Sequence, residues 1–191
     1  MRNILILLLL TFLLSSCLFH FVTDNYYSYL TPIEQARIKH LSAFEDAKAG
    51  NVYKITGNQL MEELKNHEKS MVYSFANSCP SHSINHLYEE KKYAEENGLK
   101  LFLIMSNYSN MAQTINKKLG LPLYSINNEA YGIEKSRKYY KKFREEIGFY
   151  EYQESLDGMW PGSYLFYEGD KLVDGKNYLT EEQEKAAKAN K

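Results

Sequence analysis

Cysteine is scarce in this chain of 191 residues, which contains only Cys17 and Cys79. Excess charge of either sign is also lacking, since the formal net charge is −1 at pH 7, and no nucleic-acid partner is expected. The sequence has no internal repeat or low-complexity tract, and no pattern typical of a hydrolase triad, a phosphate-binding loop or paired catalytic carboxylates. These absences leave Cys79 as the residue on which an enzymatic function would rest.

The first residues have the pattern of a secretory signal peptide. Arg2 supplies a positive charge, and residues 4–14 are apolar, a run too short to span a bilayer comfortably. Leu14-Ser15-Ser16-Cys17 follows directly and resembles the lipobox of bacterial lipoproteins, in which the cysteine is acylated and becomes the mature N-terminus. An uncleaved anchor, or an ordinary signal peptide followed by a chance cysteine, is the alternative interpretation.

The lipobox resemblance implies a location and limits the chemistry. Residues 1–16 are expected to be a cleaved signal peptide and residues 17–30 a lipidated tether. The protein is then lipid-anchored at the bacterial cell envelope, extracytoplasmic, with the membrane as a partner through the lipid on Cys17. If Cys17 carries lipid, Cys79 is the one remaining thiol, and no intramolecular disulfide is expected. The remaining length suits a single domain with its own core.

Residues 31–50 are predicted to form an N-terminal helix. Thr31-Pro32-Ile33-Glu34 has the pattern of a capping box with proline at the first helical position, and Gly50 is a plausible stop. Between them, residues recur at helical spacing: Ile33, Ala36, Arg37, Leu41, Phe44 and Ala47. The domain proper is predicted over residues 51–178 and a charged tail over residues 179–191.

Within residues 51–178 the pattern alternates between helix and strand. Apolar runs and turn residues predict helices at 59–65, 81–96, 109–119 and 133–147, strands at 71–75 and 99–105, and a hairpin of 164–167 with 171–173. The two strands at 71–76 and 99–105 are expected to be parallel neighbours. The helix at 133–147 has a basic face, which we interpret as solvated rather than bound to anionic lipid.

Two local motifs resemble the thioredoxin-like superfamily. Phe75-Ala76-Asn77-Ser78-Cys79-Pro80-Ser81-His82 follows a predicted strand and opens a helix, like the thioredoxin active-site segment. Trp160-Pro161-Gly162-Ser163 precedes the hairpin, like the cis-proline that faces the active-site cysteine in that family. The extra helix at 133–147 resembles the extracytoplasmic TlpA/ResA-like thioredoxins. The resemblance implies an α/β, thioredoxin-like fold: a central mixed sheet flanked by helices, with an N-terminal helical extension and an extra helix before the cis-proline hairpin.

The sequence departs from the family at the second cysteine. His82 stands in its place, so the motif is Cys-x-x-His and an intramolecular dithiol–disulfide cycle cannot run. A thiol at a helix N-terminus is favoured as thiolate, and His82 lies one helical turn further on the same face. These features suit a single thiol, Cys79, that forms mixed disulfides with thiol-containing envelope proteins or small thiols. No cofactor is implied.

Two other functions remain open. The protein is alternatively a non-catalytic binding or scaffold lipoprotein that kept the thioredoxin fold. In a third interpretation Cys79, His82 and His86, spaced by three and four residues on one helix face, bind copper or zinc, although no fourth ligand is evident. Trp160 would line the substrate groove beside Pro161 and restrict access to Cys79 or stack on a ligand, or would instead cap the edge of the core.

Overall fold

The computed structural model describes residues 25–76, 85–156 and 162–180, in which helices alternate with strands. The strands are β1 (Ile38–His40), β2 (Val52–Ile55), β3 (Lys69–Phe75), β4 (Lys100–Met105), β5 (Leu123–Ile126), β6 (Tyr164–Glu168) and β7 (Lys171–Lys176). The α-helices are α1 (Pro32–Gln35), α2 (Gly57–Leu64), α3 (Asn85–Glu96), α4 (Met111–Asn116), α5 (Ser136–Glu146) and α6 (Phe149–Ser155). Short 3-10 turns occupy Tyr27–Tyr29 and Phe44–Asp46.

All the strands of the described residues belong to one mixed sheet, in the order β1-β2-β5-β4-β3-β6-β7. Strands β1 to β5 pair with one another in parallel, whereas β6 is antiparallel to β3 and β7 is antiparallel to β6. The predicted α/β class with a mixed sheet flanked by helices is confirmed. The predicted parallel pairing of β3 with β4 is confirmed as well, with Met71 opposite Leu101.

The sheet is covered on both faces, which is why β3 and β4 are apolar along most of their length. Successive side chains of a strand point to opposite faces. Val72 therefore packs in one core with residues of α2, α5 and α6, while Met71 and Tyr73 pack in a second core with residues of α3 and α4. Such continuous apolar strands are typical of parallel sheets buried on both sides.

The position of α5 is fixed by its contact with the start of α2. Thr56 caps α2 in a capping box with Gln59, and the carboxylate of Glu146 at the end of α5 accepts a 3.0 Å hydrogen bond from the Asn58 backbone N–H. A Cβ at Gly57 would lie 2.5 Å from the Cβ of Glu146 and 2.8 Å from the Phe143 carbonyl oxygen. Glycine at position 57 thus lets the two helices approach closely.

The predicted helix over residues 31–50 is wrong. The capping box of Thr31 and Glu34 is present, but the helix it begins ends at Gln35, and β1 then pairs in parallel with β2. Ile33, the first residue of the supposed apolar stripe, is 76% exposed. The open edge of β2 offers backbone hydrogen bonds that a helix at this position would leave unused, so strand pairing overrides the helical period.

The end of the described chain is the β6–β7 hairpin, which confirms the predicted hairpin. The predicted charged tail lies outside the described residues from position 181 onward. Among the helices of the described ranges, none is long and apolar enough to cross a bilayer.

Candidate functional site

Most residues that the sequence singled out lie outside the described residues: Cys17, Cys79, His82, Trp160 and Pro161. The cis bond at Pro161, its closeness to the Cys79 sulfur and the exposure of that thiol therefore stay predictions. His86 is described, in the first turn of α3, with Nδ1 3.3 Å from Oε2 of Glu89. The histidine is partly exposed and pairs with its own helix.

The described residues next to these segments meet at one end of the sheet. The backbone N–H of Ser74 donates to the Ser163 carbonyl at 3.3 Å, and the N–H of Ser106 donates to the Phe75 carbonyl at 2.9 Å. Ala76 is the last described residue before the segment that contains Cys79 (the cysteine segment), and Gly162 directly follows the segment that ends at Pro161 (the proline segment). These two residues thus flank the same strand end. This end carries the carboxyl termini of the parallel strands β3 and β4, where α/β sheets commonly bind ligands.

Glycine at position 162 lets the backbone after the proline segment lie close to β7. Its φ of +107° lies in the region that favours glycine. A Cβ at this position would overlap the carbonyl group of Lys176 in β7 and would lie 2.8 Å from the Lys176 backbone nitrogen. The next residue, Ser163, donates its N–H to the Lys176 carbonyl at 3.0 Å. The backbone directly after the proline segment is therefore held against the hairpin.

The carboxyl group of Glu90, a residue of α3, is buried. This residue is not part of any of the sequence motifs. Glu90 is 0% exposed, and its Oε1 accepts a 2.7 Å hydrogen bond from the Tyr164 hydroxyl. The Tyr164 ring stacks on Tyr73 of β3, with centroids 4.3 Å apart. The other carboxyl oxygen, Oε2, has no hydrogen-bond partner among the described residues. A buried, half-satisfied carboxyl is costly when ionised.

Burial raises the pKa of Glu90 from 4.5 to about 7, although the Tyr164 hydrogen bond and the nearby His86 oppose the rise. Glu90 therefore changes charge close to neutral pH, which is unusual for a carboxyl group. Its position could have been found from helical spacing. Leu87, Glu90 and Ala94 recur at intervals of three and four residues along α3, so the glutamate falls in the buried stripe.

A basic groove lies beside the same strand ends. It encloses about 750 Å³, and its cationic side chains come from one face of α5: Arg137, Lys138, Lys141 and Arg144. Tyr140, Tyr150 of α6 and Ser106 after β4 contribute to its walls, and none of its lining residues is acidic among the described part of the chain. The sequence predicts that this helix face is solvated, and it does not show that the face is concave.

A second polar cluster ties the start of the described chain to the sheet. Nζ of Lys54, a buried residue of β2, lies 2.7 Å from Oε1 of Glu129 and 5.3 Å from the centroid of the Tyr27 ring. His40 of β1 lies 3.4 Å from the same carboxylate. The hydrogen bond from Lys54 holds the pKa of Glu129 below its usual value. This cluster is structural, since each charge is paired within it.

Within residues 25–76, 85–156 and 162–180, no three histidine, cysteine, aspartate or glutamate side chains are grouped so that they could hold a metal ion. The copper or zinc interpretation rests on Cys79 and His82, which lie outside these ranges. Comparisons of the chain with protein-family models, curated proteins and solved structures gave no match.

Proposed function

We propose that this protein is a lipid-anchored, extracytoplasmic, thioredoxin-like protein that exchanges disulfides through the single thiol of Cys79. The observation that carries the proposal is the backbone hydrogen bond between Ser74 and Ser163. This hydrogen bond brings the residues just before the cysteine segment next to the residues just after the proline segment. The resemblance of the two motifs to thioredoxins requires this neighbourhood, and the sequence alone did not impose it.

The topology around β3 supports the same proposal. The motifs imply a strand leading to the cysteine, a helix, a parallel strand beside the first, and a hairpin after the proline. The chain follows this order with β3, α3, β4 and the β6–β7 hairpin, and β6 lies directly beside β3. Strands β1, β2 and β5 extend the sheet on the far side of β4.

The proposed chemistry is exchange rather than net oxidation. The Cys79 thiolate attacks one sulfur of a partner disulfide, forms a mixed disulfide, and releases the partner's other sulfur as a thiolate. A second thiolate then attacks the mixed disulfide on the partner's sulfur, which restores the Cys79 thiolate and leaves a new disulfide. No external oxidant or reductant is needed, because one disulfide is consumed and one is formed.

The expected result for Cys79→Ser is complete loss of mixed-disulfide formation with glutathione disulfide, read by mass spectrometry of the detergent-solubilised lipoprotein. In the unaltered protein, alkylation of Cys79 by iodoacetamide at neutral pH should be about tenfold faster than that of free cysteine, because a helix N-terminus favours the thiolate. His82→Ala should slow alkylation. His86→Ala is the matched control: this histidine lies four residues further along the chain, in α3, and already pairs with Glu89, so the rate should not change. Alkylation no faster than in denatured protein contradicts the proposal and favours the scaffold function.

The anchoring part of the proposal has its own test. Cys17→Ala removes the residue that the lipobox would acylate, so labelled fatty acid should no longer be incorporated and unprocessed precursor should accumulate. Cys79→Ser serves as the control, because it removes the other cysteine of the chain and should leave labelling intact. Unchanged labelling of the Cys17 variant would show that the lipobox interpretation is wrong.

A further inference from the structure

We propose that Tyr29 and Ile33 contact the surface of the lipid bilayer to which the chain is anchored. Among the described residues these are the most exposed large hydrophobic side chains, at 74% and 76%, and the next, Tyr88, is at 46%. Both lie in residues 25–35 (the entry segment), where the described part of the chain begins. The inference rests on the lipid anchor at Cys17 that is proposed above, and it assigns the side of the domain that faces the membrane.

The covalent distance from the anchor to the entry segment is short. Asn25 follows Cys17 by eight residues, and an extended chain of that length covers at most about 29 Å. A compact domain of this size has a radius of gyration of roughly 15 Å, so its full width exceeds that distance. The entry segment is therefore kept near the bilayer, and a short tether makes even a weak contact frequent, because it sets a high effective concentration.

The backbone of the entry segment is fixed to the domain. The Asn25 carbonyl accepts a 2.9 Å hydrogen bond from the Tyr108 N–H, and the side-chain amide of Gln35 donates to the Leu30 carbonyl at 3.1 Å. Leu30 itself packs against the core on the α3 and α4 side of the sheet. The two exposed side chains thus project from a backbone that is already ordered, so that little conformational entropy is lost when they meet a surface.

The chemistry of the entry segment suits the boundary between head groups and acyl chains. Tyrosine is enriched at membrane interfaces, where its ring is buried and its hydroxyl stays in water, and an aliphatic side chain enters the acyl boundary. The one charged residue of the segment is Glu34. Its carboxylate accepts 2.8 Å hydrogen bonds from the N–H and the hydroxyl of Thr31. An apolar contact of this kind does not require anionic lipid.

The entry segment begins at the end of the sheet that carries the candidate site. Its hydrogen-bond partner Tyr108 lies three residues after the end of β4, and at the same end of the sheet Ala76 leads into the cysteine segment. The bilayer contact therefore keeps these strand ends close to the membrane. The disulfides within reach of Cys79 are then those of proteins that are themselves at the membrane surface.

Single-tryptophan variants of the full-length lipoprotein in vesicles test the proposal. Trp160→Phe removes the one tryptophan of the chain, and Tyr29→Trp or Ile33→Trp then places a fluorescent side chain in the entry segment. In phosphatidylcholine vesicles, bromination of the acyl chains should lower the emission of either variant at least about twofold, because bromine quenches only tryptophan in contact with the lipid. Salt at about 0.5 M should leave the quenching unchanged, since the contact is apolar.

Tyr178→Trp in the same Trp160→Phe background is the matched control. Tyr178 is also exposed, at 37%, and it follows β7, at the opposite edge of the sheet from β1. Its emission should not respond to bromination. If Trp160→Phe does not fold, hydroxyl-radical labelling of the unaltered lipoprotein makes the same comparison. In vesicles Tyr29 should be labelled less than Tyr178, although its exposed fraction is twice as large.

Mass spectrometry of the same preparation shows whether Cys17 is acylated, which separates the two proposals. Acylated protein without quenching at positions 29 and 33 overturns this inference and leaves the anchor intact, whereas an unmodified Cys17 overturns both. Equal quenching at position 178 means that the domain has no preferred face toward the bilayer. Blue-shifted emission without quenching means that the two side chains contact a second copy of the chain. Loss of quenching in salt means that charge, and not apolar contact, holds the domain to the lipid.

Discussion

Replacing Gly162 with alanine is expected to destabilise the protein by at least about 3 kcal/mol and to lower its melting temperature by roughly 10 °C. Two effects add. The φ of +107° is unfavourable for any residue with a Cβ, and the new Cβ would overlap the carbonyl of Lys176. Because that carbonyl is backbone in β7, it cannot move away without breaking the hydrogen bond from Ser163. A domain stable by about 5–15 kcal/mol loses a large part of its stability.

Urea unfolding monitored by circular dichroism measures the effect, and Gly50→Ala is the matched control. Gly50 also has a positive φ, +85°, but a Cβ there meets no atom within 4 Å. Its replacement should cost only the backbone strain, about 1–2 kcal/mol. If both variants lose the same stability, the close approach of Gly162 to Lys176 is not a determinant of the fold.

Glu90→Gln is expected to stabilise the protein at alkaline pH and to have little effect in acid. The folded state raises the Glu90 pKa from 4.5 to about 7, so the folded protein binds this proton more tightly than the unfolded chain does. Stability from this group is complete below about pH 4.5 and is lost as the pH rises through 7. The loss amounts to about 3 kcal/mol at most. Glutamine keeps an acceptor for the Tyr164 hydroxyl and carries no charge at any pH.

The measurement compares the free energies of unfolding of the two proteins at about pH 4 and about pH 8. The difference between them should be near zero at the lower pH and should favour Glu90→Gln by about 2 kcal/mol or more at the higher pH. Glu89→Gln is the control, because Glu89 is on the same helix but its side chain is 57% exposed; its difference should stay within about 0.5 kcal/mol. A pH-independent difference for Glu90→Gln would show that Glu90 does not titrate near 7.

The sequence predicted those helices and strands in which the buried positions are occupied by apolar side chains in a regular pattern. Strands β3 and β4 are long and apolar, and helix α5 has a clear buried face, so their periodicity indicated their structure. Strands β2 and β5 were not predicted from the sequence, because each has only four residues and includes a polar side chain. Lys54 and Ser125 are buried only because Glu129 and Tyr108 supply partners from distant positions. Such pairings depend on the tertiary structure and leave no local signal.

The features of the candidate site likewise fall into those with a local sequence signal and those that depend on tertiary packing. The cysteine and proline motifs could be proposed from neighbouring residues, since glycine, proline and cysteine have local conformational and chemical meaning. The Glu90–Tyr164 pair and the basic groove could not, because each depends on which elements pack together. Helical spacing places Glu90 in a buried stripe, but only the position of β6 brings the Tyr164 hydroxyl to it. The concavity beside α5 likewise arises from Tyr150 of α6 and Ser106 after β4.

The strand order also dictates when the protein can fold during synthesis. β2 is among the first strands to be synthesised, but one of its two sheet neighbours is β5. Val52 therefore cannot pair with Leu123 until the chain has been synthesised as far as β5. Contacts between such distant positions are slow to form, because a long loop must close first. Until β5 has emerged, β2 has an open edge that can pair with another chain. A chain that is synthesised N-terminus first therefore passes through an interval in which chaperones have an unpaired strand to bind.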